Sequence, residues 1–297
     1  MNFGYRRMSL KIIVEVIIIL LATVVLVSFL AFWTSIKPPK WPITKTPADF
    51  GMEYEKVVFQ TNDGINLLGW FVPAKEDTDK TIIMLHGYPA SKSDIVLMGV
   101  FLHEQYNLLF FDFRYMGESE GRYTTAGAKE VNDLLSAIQY LKNNKLEFAN
   151  KIGVWGFSLG GAVGLMASAQ TNAIQAVVAD SAYADLDIMV EFLFARFGVL
   201  KTPFTFTTKL WARLIFGIKT KDISPRKSVA KSSVPILLIH GQQDSEISSQ
   251  NSVMIYDEAK GPKDLWLLEG VGHGGAYFTN QQVYEQKVKD FFEKFLK

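Results

Sequence analysis

Lys151–Ala162 reads KIGVWGFSLGGA, and the reading of its one serine, Ser158, decides the fold. Ser158 stands between Gly156 and Gly160. KIGVW, just before it, is a short continuous apolar run of the kind buried on both faces of a parallel sheet. LGGAVGLMASA, just after it, reads as a helix of small residues. Strand, sharp turn and helix form the setting that exposes a serine hydroxyl on a strained backbone. The residues two before and two after must be small so that the helix can approach the strand. A G-x-S-x-G pentapeptide alone arises by chance in about one chain of this length in ten, with glycine at about 7% of residues. The strand and helix around it are what favour a nucleophile over a glycine-rich turn.

The same rhythm continues on both sides. Further continuous apolar runs are TIIML from Thr81, NLLFF from Asn107, AVVA from Ala176, PILLI from Pro235 and DLWLL from Asp264. A helix is predicted over about Thr125–Asn143, where Val131, Leu134, Leu135, Ile138 and Leu141 make one stripe. Others are predicted from near Leu159, Ser248 and Gln281. Earlier, YEKVVFQT and NLLGWFVPA are joined by Asn62-Asp63-Gly64, a hairpin signal. Strands alternating with helices predict an α/β sheet covered on both faces. One interval is too long for a single crossover. About 181–233 is expected to form a cap of two short helices broken near Gly198–Pro203. Its aromatic residues, among them Phe192, Phe197, Phe204, Phe206 and Trp211, either glue the cap to the body or line a lipophilic pocket.

A nucleophilic serine needs a base, an orienter for the base and donors for the oxyanion. In this kind of fold the acid and then the histidine follow the serine. Only His240 and His273 lie downstream. His273, in the glycine-rich EGVGHGGA just past the last strand, is the expected base, and His240 is expected to fill a strand end. Asp244, beyond PILLIHGQQ, is the expected acid, with Asp180 and Glu246 as alternatives. The expected oxyanion donors are the N–H groups of Leu159 and of Tyr88 in LHGYPASKSD. Pro89 has no N–H to offer. His86 is expected to hold that loop, and His103 to lie at the surface.

The N-terminus carries a different signal. Ile12–Trp33 is apolar apart from Glu15, long enough for the roughly 30 Å of a hydrocarbon core. The run exceeds the usual apolar region of a signal peptide, and Ala31-Phe32-Trp33 is a poor cleavage site. A single-pass signal anchor is expected, with a cleaved signal and a secreted body as the alternative. Arg6, Arg7 and Lys11 before the span lean toward a cytoplasmic N-terminus and an extracytoplasmic body. KPPKWPITKTP, with four prolines, reads as a stiff spacer. Three domains follow: anchor 1–35, linker 36–52 and body 53–297. Up to Lys45 there are six basic residues against Glu15, and beyond it 25 basic against 29 acidic. A mildly acidic body with no basic stripe argues against a nucleic-acid partner. The chain has no cysteine, which excludes a cysteine nucleophile, a disulfide framework and thiolate metal sites.

HGYPAS, FFDFRYMGESEGR, GFSLGG, LLIHGQQD and GVGHG, in this order and spacing, resemble the serine α/β-hydrolase superfamily. They are most similar to its bacterial and Bem46-like members with an N-terminal anchor. The resemblance covers about 53–297. It implies an eight-stranded, mostly parallel sheet, a Ser158–Asp244–His273 triad and no cofactor, with Asp112 and Arg114 as loop structure. The expected activity is hydrolysis of small-molecule carboxylic esters, lipophilic ones if the cap lines a pocket. Peptide or amide cleavage is the runner-up, since aminopeptidase relatives use a propeller and an acidic amine-binding motif not seen here. A non-catalytic binding protein on the same fold is the third reading. Oligomeric state is not readable from these residues.

Overall fold

The computed structural model describes residues 9–297. Arg6 and Arg7, on which the expected orientation rests, lie outside the described residues. The described residues form two compact units: 36–186 with 221–297, and 9–35 with 187–220.

The larger unit is built on one eight-stranded sheet. Its strands are β1 (Glu55–Gln60), β2 (Asn66–Val72), β3 (Lys80–Leu85), β4 (Asn107–Phe111), β5 (Lys151–Phe157), β6 (Ile174–Asp180), β7 (Ile236–Gly241) and β8 (Lys263–Leu268). Their spatial order is β1-β2-β4-β3-β5-β6-β7-β8. The β1–β2 and β2–β4 pairs are antiparallel, and every later pair is parallel. The expected mostly parallel α/β-hydrolase sheet is what the chain forms. Burial explains the sequence texture. β4 and β7 are buried at every position, whereas edge strand β1 alternates. On one face Met84, Phe110, Trp155, Val178 and Ile239 pack with Tyr284, Val288 and Phe292.

Helices cover both faces. With α1 reserved for the N-terminal helix Leu10–Ile36, they are α2 (Val96–Val100), α3 (Glu130–Asn144), α4 (Leu159–Ala167), α5 (Leu186–Leu193), α6 (Lys201–Phe216), α7 (Pro225–Val229), α8 (Gln250–Glu258), α9 (Ala276–Thr279) and α10 (Gln281–Phe295). α3 starts later than its apolar stripe suggests. The Glu130 carboxylate accepts from the Thr124 and Thr125 hydroxyls and the Thr125 and Gly127 N–H groups, wrapping the preceding residues into a turn. Ala126 and Gly127 sit at positive φ there, which a helix does not allow. Residues 36–52 belong with this unit rather than forming a free spacer. The Tyr115 hydroxyl donates to the Pro38 carbonyl, Lys40 to the Ser119 carbonyl, and the Thr44 and Lys45 N–H groups to Ser93 Oγ.

The smaller unit contains most of α1, with α5 and α6. α1 has 27 residues, about 40 Å at 1.5 Å each, and is long and apolar enough to cross a membrane. Its hydroxyls are satisfied within the helix: Thr23 donates to Ile19 O, Ser28 to Val25 O and Thr34 to Leu30 O. The cap is narrower than 181–233, because 221–233 rejoin the sheet unit. There Leu186 N–H donates to Ile223 O and Arg226 N–H to Ala184 O. The helical break falls at Phe194–Leu200, where Gly198 takes φ 54°. Pro203 lies inside α6, in its first turn, where a missing N–H costs no helical bond.

Candidate active site

Four loops leave the carboxyl edge of the sheet after β3, β5, β7 and β8, the edge where ligands bind in open α/β sheets. After β5, Ser158 takes φ 51° and ψ −113°, a strained conformation for a residue with a Cβ. Its N–H donates to the Asp180 carbonyl at 2.7 Å, and α4 starts at the next residue. The flanking glycines are required by close approach. A Cβ on Gly156 would lie 2.5 Å from Gly161 N and against Gly160 C and O, and one on Gly160 would lie 2.7 Å from Leu85 C.

After β7 and β8, two loops are stitched together by three hydrogen bonds. Gln242 N–H donates to Leu268 O, Gln243 N–H to Val271 O, and Gly270 N–H to Gln243 Oε1. Asp244 and His273 meet as a result. His273 Nδ1–H donates to Asp244 Oδ2 at 2.6 Å, and Nε2 faces Ser158 Oγ at 3.2 Å. Asp244 is buried and fully satisfied: its Oδ1 accepts the N–H groups of Glu246 (2.9 Å) and Ile247 (2.8 Å). Burial alone would push its carboxyl up. The hydrogen bonds from His240, His273 and Ile247, with the His273 charge, outweigh that and hold it well below the usual carboxylate range. Burial likewise pulls the His273 imidazole down, but Asp244 outweighs it and leaves the group above its ordinary value of 6.5.

The remaining expected residues have other surroundings. Asp180 is buried and accepts the Ser181 and Tyr284 hydroxyls, and burial raises its carboxyl. Glu246 is exposed. His240 does more than fill a strand end. Its Nε2 lies 2.7 Å from the Ile247 carbonyl and 3.2 Å from Asp244 Oδ2. Both are acceptors, so Nε2 carries the hydrogen, and Nδ1 accepts from the Ser252 hydroxyl. The His240–Asp244 support was missed in the sequence, where only an i, i+4 spacing across a strand end hints at it. His103 is buried, not at the surface, with Nε2 donating to Pro73 O.

After β3, His86 Nδ1–H donates to Gly87 O and Nε2 accepts from Phe113 N–H, fixing the start of the loop that carries Tyr88. Gly87 has no room for a Cβ, which would lie 2.9 Å from Phe157 Cδ1. Leu159, first in α4, has an N–H with no intrahelical acceptor. Two ion networks, each centred on a buried cation, brace the neighbouring loops. Lys92 Nζ contacts Asp112 at 2.5 Å and Glu118 at 2.7 Å, and Arg114 grips Asp133 and Asp63. A separate groove of about 780 Å³, lined by Glu76, Lys80, Tyr106 and Phe148 among others, opens at the amino ends of β3–β5. It contains none of the residues discussed above.

Comparisons with known proteins agree with this fold. The prolyl oligopeptidase family (Peptidase_S9) matches residues 118–297. The uncharacterized protein YqkD of Bacillus subtilis is 28% identical over 246 residues, covering 82% of this chain and 80% of its own. Protein bem46 of Schizosaccharomyces pombe is 24% identical over 216 residues, covering 71% and 67%. Among solved structures, the Pyrococcus furiosus esterase Pf2001 superposes with a TM-score of 0.73 at 29% identity, covering 89% of this chain and 99% of that one. The acylaminoacyl peptidase of Pyrococcus horikoshii, at TM-score 0.64 and 19% identity, covers 83% and 42% and shares the fold. The family match takes in well over half of the chain, so this protein belongs to the prolyl oligopeptidase family, within the serine α/β-hydrolase superfamily and with Bem46-like relatives.

Proposed function

We propose that the protein is a membrane-anchored carboxylic-ester hydrolase in which Ser158 is the nucleophile, His273 the general base and Asp244 its orienter. The observation that carries this reading is the unbroken contact chain Ser158 Oγ–His273 Nε2–His273 Nδ1–Asp244 Oδ2, at 3.2 and 2.6 Å. His273, with its hydrogen on Nδ1, takes the Ser158 proton at Nε2 as Oγ attacks the ester carbonyl. The Tyr88 and Leu159 N–H groups stabilise the tetrahedral oxyanion, and His273 then protonates the leaving alcohol. Water repeats the cycle on the acyl-enzyme. Asp244 holds the tautomer and stabilises the imidazolium that forms. The chemistry uses no cofactor.

The ester preference rests on the likeness to the Pyrococcus furiosus esterase along nearly its whole length. A second reading, cleavage of peptide or amide bonds, is favoured by the family match itself. The same residues serve both, with an amine as the leaving group. α1 is read as an uncleaved anchor with the N-terminus in the cytoplasm and the body outside; release after signal cleavage is its alternative.

A serine-reactive fluorophosphonate separates catalysis from mere binding. The protein is expected to be labelled and a Ser158→Ala variant not. Equal labelling of the two would sink the enzyme reading. A panel of ester, thioester and aminoacyl-amide substrates then decides the bond, and faster turnover of the amides would replace the esterase reading with the peptidase one.

A further inference from the structure

The outer face of α6 is apolar where a soluble helix would be polar. Phe206, Leu210 and Leu214 follow at i, i+4 and i+8, and Phe206 and Leu214 remain 66% and 65% exposed. Val199, on the turn before α6, is 93% exposed. The opposite face is turned inward: Phe204, Thr205, Thr208 and Ala212 are buried, and on the flank Lys209 pairs with Asp187 and Glu191. A contiguous exposed apolar stripe of this kind marks an interaction surface.

α1 indicates what covers it. The two helices belong to the same compact unit. Trp211 packs edge-on against Phe29, with ring centroids 5.2 Å apart, and its indole N–H reaches Ser28 Oγ at 3.4 Å. Phe216 packs against Phe32. Trp33 ends the apolar run of α1 and stacks on Phe29, at the level where tryptophans gather in membranes. Phe29 lies one turn before it, about 6 Å deeper along the helix. Trp211 therefore sits at acyl-chain depth if α1 spans, and Leu214, three residues on, adjoins it along α6. Exposed Arg213 borders the stripe and has the reach to lift its charge to the headgroups.

We propose that the cap is a second membrane element: the Phe206–Leu210–Leu214 face of α6 and the turn at Val199 lie in the acyl region of the leaflet that α1 leaves at Trp33. The occupant of the stripe is lipid. This rests on the reading of α1 as a retained anchor and is independent of the hydrolase chemistry.

The absence of cysteine from the chain makes the test direct. Single variants Phe206→Cys, Leu214→Cys and Val199→Cys are made in the full-length protein, labelled with a nitroxide and reconstituted into phosphatidylcholine–phosphatidylglycerol vesicles. Collision rates with oxygen, which dissolves in lipid, and with a water-soluble nickel chelate report depth. Ile19→Cys, in mid-span, and Lys142→Cys, at an exposed position of α3, are the two references. Labels at 206, 214 and 199 are expected to match Ile19→Cys, with oxygen favoured. Values matching Lys142→Cys, with Ile19→Cys still in lipid, overturn the proposal and leave the anchor intact. Dipolar broadening at 206 and 214 without oxygen preference overturns it in favour of a second copy of the chain. Water exposure at Ile19→Cys removes the anchor and the proposal together, while fluorophosphonate labelling of Ser158 reports on the chemistry separately.

Discussion

The substitution Gly156→Ala tests the reasoning about the serine turn without touching any residue assigned a chemical role. An added Cβ would lie 2.5 Å from Gly161 N and against Gly160 C and O, all backbone of the first turn of α4. Carbon contacts settle near 3.5–4.0 Å, so α4 must retreat by about 1 Å. A backbone helix that begins at the residue after Ser158 cannot retreat alone. Its start carries Ser158 Oγ from 3.2 Å to beyond hydrogen-bond reach of His273 Nε2. Overpacking of this kind costs about 1–3 kcal/mol. In a domain of this size each kcal/mol lowers Tm by roughly 2–4 °C. Misplacing a reacting group by about 1 Å costs on the order of 10²-fold in rate. The assay is kcat/KM on a chromogenic ester with a melting curve on the same sample. The expected result is a rate loss much larger than the modest drop in Tm would cause at assay temperature. A variant that keeps the wild-type rate, or loses activity only by unfolding, refutes the claim that Gly156 positions the nucleophile.

Further expectations concern the groups around Ser158. Because Asp244 raises the His273 imidazole above 6.5 and the base must be neutral, kcat/KM should rise with pH and level off only above that value. Asp244→Asn should lower the plateau by about 10⁴-fold and move this limb to lower pH, and a wild-type limb well below 6.5 would contradict the assignment. His240→Phe removes a donor to the Asp244 carboxylate and leaves the Ile247 carbonyl and Ser252 hydroxyl without it. It should cost about 1.5–3 kcal/mol in urea denaturation, the range for a hydrogen bond to a charged group, with no such loss for exposed Glu246→Ala. Ser158→Gly and Ser158→Ala should both be inactive, but the glycine variant should be more stable by roughly 1 kcal/mol, since only it relaxes the positive φ; equal stability would mean the turn is unstrained.

The parts of the fold that were legible are those where one physical demand leaves one texture. Strands buried on both faces carry continuous apolar runs, so β3, β4, β5 and β7 stand out. The order of the loops carrying Ser158, Asp244 and His273 follows from where those strands end. What escaped depends on contacts between distant segments. His103 stands where the apolar run 95–102 gives way to Glu104 and Gln105, and nothing local shows that its ring reaches the Pro73 carbonyl and is buried. Glu130 looks like a first-turn helix residue, and nothing local shows that its carboxylate gathers three preceding residues and delays α3. The four prolines of 37–47 announce an extended chain but not the surface it lies on, which Tyr115, Ser119 and Ser93 supply. The sequence suggests too wide a cap because 221–233 lack a strand signature, although Ile223 and Ala184 bind them to the sheet unit.

The spacing of the candidate site is encoded less in its three polar residues than in glycines that touch no substrate. Gly156 and Gly160 let α4 close on β5 and β3. Gly241, at the end of β7, does the same for the histidine loop, since its Cβ would lie 2.7 Å from Gly272 O. Each contact is to backbone, which cannot rotate away as a side chain can. The distances from Ser158 to His273 and from His273 to Asp244 are thus set by main-chain packing, of α4 on β5 and β3 and of the loops after β7 and β8 on each other. This explains why a serine at a costly φ persists: the helix behind it and the strand beside it leave the turn no relaxed alternative. It follows that the chemistry of this edge depends on the tolerance of three glycine positions to a single methyl group. Alanine at Gly241 should therefore separate His273 from Asp244 as alanine at Gly156 separates Ser158 from His273.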